Sequence, residues 1–289
     1  MFKKVIKNIL PKWLLAKVTR FRSRNSKLHM DDEFLSYVYK KKLGLEKNLD
    51  NIQTLVLRGS HADYGVITQG ENDIYNLGLT STDIYLNFKL YEKYSKELSR
   101  LKNVVFFYSV FTPGLSLIRI NEKYRLVAYK YFLDVPYQDG NMIDEKLERK
   151  ITRKCRKIKQ PKIDSEYFGY EQKNSFMSNI SATKRTKTHL RENQREPNQL
   201  EWLIKLRDLV NKQGRQLYVV IPPVQKSYMD CLPDKRELFK KLYSLDLENV
   251  KVLDFYDSPL FDDSDLGDFD HLNEKGARKL TDELIQYIK

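Results

Sequence analysis

The sequence predicts an α/β fold, in which helices cover both faces of a parallel sheet. Short apolar runs that suit buried strands alternate with longer segments of helical spacing, and this alternation is typical of parallel sheets. The chain has 289 residues, of which 41% are hydrophobic and 31% charged. That length allows one large domain, or a core domain with a sizeable insertion.

The core elements follow one another as strand, helix, strand from about residue 50 onward. Five strands are predicted, at 55–57, 73–79, 104–108, 217–221 and 250–253. Four helices are predicted, at about 83–100, 199–213, 234–245 and 274–288. Ser81 or Thr82 is expected to cap the first helix and Asn273 the last, because these side chains can accept a hydrogen bond from a first-turn amide.

Residues 112–196 interrupt this alternation and are rich in Tyr, Lys and Arg. The stretch is too long for a plain connection between two core strands. We interpret it as an inserted cap that contributes to substrate binding, with a purely structural insertion as an equal alternative. No recognised nucleic-acid motif accompanies its basic cluster at 149–157, so we expect no nucleic-acid partner.

The N-terminal segment, residues 1–30, is strongly basic. Its first 27 residues contain nine Lys and Arg residues and no acidic side chain, within a chain of net charge +13. Apolar residues recur between them every three or four positions, which predicts an amphipathic helix. Such a helix can lie on an anionic membrane face; alternatively, it packs on the protein's own α/β domain, residues 31–289.

Cysteine usage and hydropathy predict the compartment. The chain has only two cysteines, which favours a reducing environment over a disulfide framework. Neither has metal-ligand spacing, and we expect no metal site. No apolar run approaches the roughly 20 residues of a membrane span, and lysines interrupt the N-terminal apolar residues, so there is no signal-peptide core. We therefore expect a cytoplasmic protein, either free or peripheral at the inner face of the membrane.

Ser60 and a distant Asp-x-x-His sequence are the candidate catalytic residues. Ser60 follows the first predicted strand, and the carboxyl ends of parallel strands form the ligand-binding edge of such a sheet. A serine hydroxyl needs a base to remove its proton, and an imidazole base needs an acid to orient it. Asp268 and His271 suit these two roles because they are three residues apart on one loop.

The backbone amides of Ser60 and Gly78 are the predicted oxyanion-hole donors, since both follow neighbouring strands. Alternatives remain open for individual residues. Ser60 can simply close a turn, and Asp270 can replace Asp268 as the acid. His61 is expected to pack or hydrogen-bond beside the site without a catalytic role.

Three sequence blocks carry a family resemblance. Gly59-Ser60-His61-Ala62, then Asn76-Leu77-Gly78, then Asp268-Phe269-Asp270-His271-Leu272-Asn273 resemble the blocks of the SGNH/GDSL hydrolase superfamily. The resemblance is strongest to a branch found among bacterial surface-polysaccharide O-acyltransferases and esterases, and it covers about 50–110 and 215–289. It implies a three-layer flavodoxin-like fold, with Ser60 as nucleophile, His271 as base, Asp268 as its orienting acid and Gly78 in the oxyanion hole.

The chain departs from the family pattern at two places. Arg58 and Gly59 precede the serine where many members have other residues. The block that supplies an oxyanion-hole asparagine is absent, and Ser109 or Asn87 is the candidate replacement.

The resemblance predicts a serine-dependent acyl transfer, by an O-acetyltransferase or an esterase, in the biosynthesis of a bacterial capsule or other surface polysaccharide. The partners would be a carbohydrate acceptor and an anionic membrane surface. No cofactor is expected to stay bound, and acetyl-CoA is a candidate acyl donor. The alternative is a catalytically inactive glycan- or membrane-binding protein that kept the SGNH fold.

Overall fold

A five-stranded parallel sheet forms the centre of the molecule. The computed structural model describes residues 31–139, 142–173, 176 and 180–289. Its strands are β1 (Thr54–Leu57), β2 (Ile74–Asn76), β3 (Asn103–Phe107), β4 (Gln216–Ile221) and β5 (Val250–Asp254). They lie in the order β2-β1-β3-β4-β5, and every neighbouring pair is parallel. This flavodoxin-like order confirms the predicted α/β class.

Alternate strand residues face two separate hydrophobic cores, because successive side chains of a strand point to opposite faces of the sheet. Leu55 and Leu57 of β1 belong to the larger core, whereas Val56 belongs to the smaller one. On β3, Phe106 and Phe107 divide in the same way. The sheet is therefore the middle layer of three.

Helices form the two outer layers. In chain order they are α1 (Asp32–Lys47), α2 (Gly59–Gly65), α3 (Ile84–Tyr94), α4 (Arg125–Leu133), α5 (Glu145–Cys155), α6 (Ala182–Asn193), α7 (Leu200–Lys212), α8 (Lys226–Met229), α9 (Lys235–Leu238), α10 (Lys240–Tyr243) and α11 (Glu274–Ile288). Short 3₁₀ turns lie at Leu117–Arg119 and Asp263–Asp265. Helices α2 and α11 pack together on the smaller core. In the part of the chain that is described, none of these helices has the length and apolar content of a membrane span.

The helix boundaries correct two sequence predictions. Helix α3 ends at Tyr94, and its cap is Asp83, whose carboxylate accepts a hydrogen bond from the Leu86 amide at 2.9 Å. The predicted caps Ser81 and Thr82 were wrong. The helix predicted at 234–245 is two short helices, α9 and α10. The cap of α11 is confirmed, since Asn273 accepts from the amide of Gly276.

The insertion contributes part of the larger core. Its helix α4 packs against α1 and α5, and Tyr129 and Leu133 are fully buried there. Helix α1 itself was not predicted. The amphipathic helix predicted in the N-terminal segment lies outside the described residues.

Candidate active site

A sharp backbone turn after β1 sets the position of Ser60. Arg58 and Gly59 have φ angles of 88° and 67°, in the left-handed region that glycine adopts at little cost. The chain then enters α2 directly, with Ser60 in its first turn. The Gly59 amide donates to Thr82 Oγ1 at 2.9 Å, which holds the turn against the segment after β2.

A tight loop before α11 sets the position of His271. The carboxylate of Asp268 accepts hydrogen bonds from the amides of Asp270 and His271, at 3.1 and 3.0 Å. The Gly267 amide donates to the carbonyl of His271 at 2.8 Å. These contacts hold the Asp268 carboxylate beside the His271 ring.

The structure brings Ser60, His271 and Asp268 into one hydrogen-bonded row. Ser60 Oγ lies 2.7 Å from His271 Nε2, and His271 Nδ1 lies 2.9 and 3.1 Å from the two carboxylate oxygens of Asp268. A carboxylate can only accept, so Nδ1 carries the proton and Nε2 is free to accept from the serine hydroxyl. This is the order of contacts that an activated serine requires.

The two carboxylates of the loop differ in their distance to the histidine. The nearer oxygen of Asp270 lies 3.9 Å from His271 Nδ1, outside hydrogen-bond range. Asp268 is therefore the better placed orienting acid. Burial raises the pKa of Asp268, but the hydrogen bond and charge interaction with His271, together with the hydrogen bond from the Asp270 amide, outweigh burial and lower it, so Asp268 is ionised at neutral pH.

The Asn76-Leu77-Gly78 block fastens α2 to the sheet. The Asn76 side chain donates to the carbonyls of Ala62 and Val66, each at 2.8 Å. A Cβ at Gly78 would lie 2.4 Å from the amide nitrogen of Asp63, so only glycine allows this close approach. The amide of Gly78 donates to Asn76 Oδ1 at 2.9 Å and could serve an oxyanion only by leaving that partner.

The two candidate replacements for the missing oxyanion donor are both engaged elsewhere. Ser109 is buried, and its hydroxyl lies 3.2 Å from that of Thr112. The Asn87 side chain donates to the carbonyl of Asp83 at 2.7 Å, one turn earlier in its own helical segment. The Ser60 amide remains as a candidate, because first-turn amides lack an intrahelical acceptor.

Arg58 is an unusual neighbour of the nucleophile position. Its side chain is fully buried, and none of its three guanidinium nitrogens has a hydrogen-bond partner among the described residues. The guanidinium carbon lies 5.4 Å from the centre of the Phe111 ring. Burial lowers the pKa of Arg58 to about 10, so Arg58 stays charged at neutral pH.

A buried polar group around Asp270 was not predicted. Arg185 of α6 donates to Asp270 Oδ1 at 2.9 Å. His61 Nε2 lies 3.2 Å from Asp270 Oδ2 without forming a hydrogen bond, and His189 Nδ1 lies 2.6 Å from the Tyr228 hydroxyl. Arg185 and His189 are four residues apart, which places both on one face of α6, but this spacing does not indicate which part of the chain that face contacts.

A second part of the insertion also reaches the site. The Phe176 ring packs against Gly267, which directly precedes the Asp268 loop, and lies 6.3 Å from the ring of Tyr64. The Tyr64 ring in turn lies 5.5 Å from that of His271. Lys173 Nζ lies 5.5 Å from the centre of the same tyrosine ring. The insertion therefore borders the site on the side of Tyr64.

One group of side chains near the site has the composition of a metal site. His61, Asp270 and His271 each offer a ligand atom, all within 4.8 Å of one another. Both ring nitrogens of His271 already face Ser60 and Asp268, and Asp270 pairs with Arg185. Metal binding here would break these contacts, so the arrangement suits the hydrogen-bonded row better.

Comparisons with known proteins give only distant structural similarities. The chain matches no protein-family model and no curated protein sequence. It is similar to a solved structure from Streptococcus pneumonia, described provisionally as a platelet activating factor, with TM-score 0.45 and 12% identity over 94% of this chain and 99% of the other. It is also similar to a provisionally described acylhydrolase from Bacteroides fragilis, with TM-score 0.42 and 10% identity over 84% and 92% of the two chains. We take no functional evidence from similarities this distant.

Proposed function

We propose that this protein catalyses acyl transfer through a covalent ester on Ser60. The observation that supports this most directly is the row of contacts in which Ser60 Oγ meets His271 Nε2 at 2.7 Å and His271 Nδ1 meets Asp268 at 2.9 Å. Each of the three side chains has the partner that its role requires. The loops that supply them are separated by about two hundred residues of sequence.

In the first half of the reaction, Ser60 Oγ attacks the carbonyl carbon of an acyl donor while His271 Nε2 takes the hydroxyl proton. Asp268 holds the imidazole in the correct tautomer and stabilises its positive charge. The leaving group departs with the proton from His271. In the second half, a sugar hydroxyl or water gives its proton to His271 Nε2 and attacks the ester carbonyl. The bond to Ser60 Oγ then breaks as His271 returns the proton to that oxygen, which restores the free serine.

The attacked carbonyl oxygen acquires negative charge in both halves. The amide of Ser60 is a suitable donor, because first-turn amides lack an intrahelical acceptor. The fully buried cation of Arg58, two residues before Ser60, adds positive potential near the site. Gly78 would contribute only if its amide left Asn76.

The proposal extends to the chemical class of the acyl acceptor and of the acyl donor. The family resemblance favours a hydroxyl of a bacterial surface polysaccharide or its precursor as the acceptor, with acetyl-CoA as donor. The insertion that borders the site through Phe176 and Lys173 is a suitable wall for a glycan, since aromatic rings pack on apolar sugar faces and a lysine can donate to hydroxyls. Transferase and esterase share one triad and differ in how well the site excludes water.

The proposed nucleophile can be tested by covalent labelling of the purified protein with a fluorophosphonate. We expect a single adduct, which peptide mass spectrometry places on Ser60, because a phosphonylated serine mimics the tetrahedral intermediate of acyl transfer. Heat-denatured protein is the control and should remain unlabelled. A folded protein that takes up no label would contradict the proposal and favour the non-catalytic glycan- or membrane-binding alternative.

An anionic membrane surface is the second proposed partner. Helix α5 presents four exposed cations, Lys150, Arg153, Arg156 and Lys157, on and just after its last turns. Lys154 Nζ lies 3.9 Å from the carboxylate of Asp32 at the start of α1. The exposed cations of α5 therefore lie near the start of α1, where the N-terminal segment is attached, and both would attract the same anionic surface.

Deletion of residues 1–24 should weaken binding to vesicles that contain anionic lipid by about tenfold or more. Each cation near an anionic surface contributes about 1 kcal/mol, and the deletion removes eight of them. Co-sedimentation with anionic and with neutral vesicles measures the difference. Unchanged binding to anionic vesicles after the deletion would rule out the segment as the anchor.

A further inference from the structure

We propose that Arg185, on helix α6 of the insertion, is a positioning residue that neutralises Asp270 and thereby controls the protonation of His271. This inference rests on the proposed function, because it assigns His271 the role of base. It gives the insertion a part in the reaction that is separate from any contact with substrate.

The contact between Arg185 and Asp270 is close and largely shielded from water. Both Nε and Nη2 of Arg185 lie 2.9 Å from Asp270 Oδ1. The side chain of Asp270 is 2% exposed and that of Arg185 is 14% exposed. Charged contacts in such surroundings are screened far less than surface pairs.

Asp270 is also close enough to His271 to influence its charge. The nearer Asp270 oxygen lies 3.9 Å from His271 Nδ1, and an unneutralised carboxylate at that distance would stabilise an imidazolium strongly. A histidine that is held as imidazolium cannot accept the Ser60 proton. The counter-charge on Arg185 therefore keeps the base available near neutral pH.

Other groups that face Asp270 and His271 cannot supply this permanent counter-charge. Burial lowers the pKa of His61 to about 4 and that of His189 to about 3. Both rings are therefore neutral at pH 7, although the His61 ring stacks on His271 with centroids 4.7 Å apart.

Arg58, the second buried cation near the site, acts on His61 but forms no hydrogen bond with Asp270 among the described residues, and the other neighbours are not cations. Asp268 and Tyr64 face His271, and Tyr228 faces His189. All three side chains are acidic or neutral, and burial raises the pKa of Tyr64 above its ordinary value. Among the described side chains in contact with Asp270, Arg185 is the permanently charged base.

The test measures the acidic limb of the pH–rate profile with p-nitrophenyl acetate for two variants that each remove one charge. We expect Arg185→Met to move this limb up by about one pH unit, because Asp270 then acts unopposed. Asp270→Asn should move it down by about one unit, because Arg185 then acts unopposed. Arg185→Lys should restore most of the wild-type profile. Arg191→Met, an exposed change on the same helix, is the matched control.

Opposite shifts in the two variants would establish the electrostatic coupling, since a purely structural role would lower activity without such a pattern. Shifts of the same sign, or none in folded variants, would overturn the inference. Fluorophosphonate labelling of Ser60 distinguishes failure of this inference from failure of the proposed function. If the variants are labelled on Ser60 but the acidic limb of their pH–rate profile does not move, only the role of Arg185 is rejected. If turnover is too low, NMR titration of His271, one of four histidines in the chain, gives the same comparison in the folded protein.

Discussion

Ser60→Ala is expected to lower acyl turnover by about a thousandfold or more. The variant lacks the oxygen that forms the covalent ester, and removal of the nucleophile from a serine triad costs at least that much. Hydrolysis of p-nitrophenyl acetate by purified wild type and variant measures the loss. The small activity that remains would come from water activated by His271, which the substitution leaves in place.

The fold should tolerate this substitution. Ser60 is half-buried in the first turn of α2, its hydroxyl bonds to His271, and alanine is the best helix former. We expect a thermal midpoint within a few degrees of wild type. Ser99→Ala should leave turnover unchanged, because Ser99 is exposed and lies just before β3, at the amino-terminal ends of the strands and away from Ser60. Full turnover by folded Ser60→Ala would exclude Ser60 as the nucleophile.

The Ser60–His271–Asp268 row could be predicted because both of its loops lie at the carboxyl edge of a parallel sheet. An apolar run that ends in glycine, followed by serine, fixes one loop, and an Asp-x-x-His sequence before a capped helix fixes the other. Local spacing then determines most of the geometry. The oxyanion donors were harder to predict, because the Gly78 amide already donates a hydrogen bond to the Asn76 side chain. A contact of this kind cannot be predicted from the spacing of apolar residues.

The contacts made by the insertion could not be predicted from the sequence. Nothing in the sequence near Asp270 indicates that a helix more than eighty residues earlier would supply its counter-ion. Arg185 lies among several other cations on α6, and only the packing of that helix distinguishes it from them. The same is true of His189, which belongs to a polar stretch of sequence but is buried in the folded protein.

Lys41 is a further case in which a cation in a charged run is buried. It is the middle residue of three consecutive lysines, yet it is 0% exposed and its Nζ lies 2.6 Å from Asp63 Oδ1. The spacing of Leu35, Val38, Lys41 and Leu45 places it on the apolar face of α1. Lys41 also donates to the carbonyl of Asn76 at 3.0 Å, so it joins α1 to both α2 and β2.

Lys41→Met should therefore destabilise the protein by about 3–5 kcal/mol, because it leaves Asp63 buried without its counter-ion. This is a large part of the roughly 5–15 kcal/mol that stabilises a typical domain. Urea unfolding followed by circular dichroism measures the loss. Lys42→Met, which removes only a partly exposed pair with Glu46, should change stability by less than about 0.5 kcal/mol.

The pH dependence of the variant shows whether the lost charge pair is the cause. Burial raises the pKa of Asp63 above its ordinary value, and Lys41 and a hydrogen bond from Tyr37 oppose that effect. Without Lys41, folded protein should retain the Asp63 proton to higher pH than unfolded protein does. Loss of Lys41 should raise the pKa of folded Asp63 further, so the stability deficit of Lys41→Met should grow as pH rises above the already raised pKa of Asp63 in the wild-type fold, and Asp63→Asn in the same chain should recover part of it. A deficit that is independent of pH and unaffected by Asp63→Asn would mean that Lys41 contributes through its packed side-chain stem rather than through its charge.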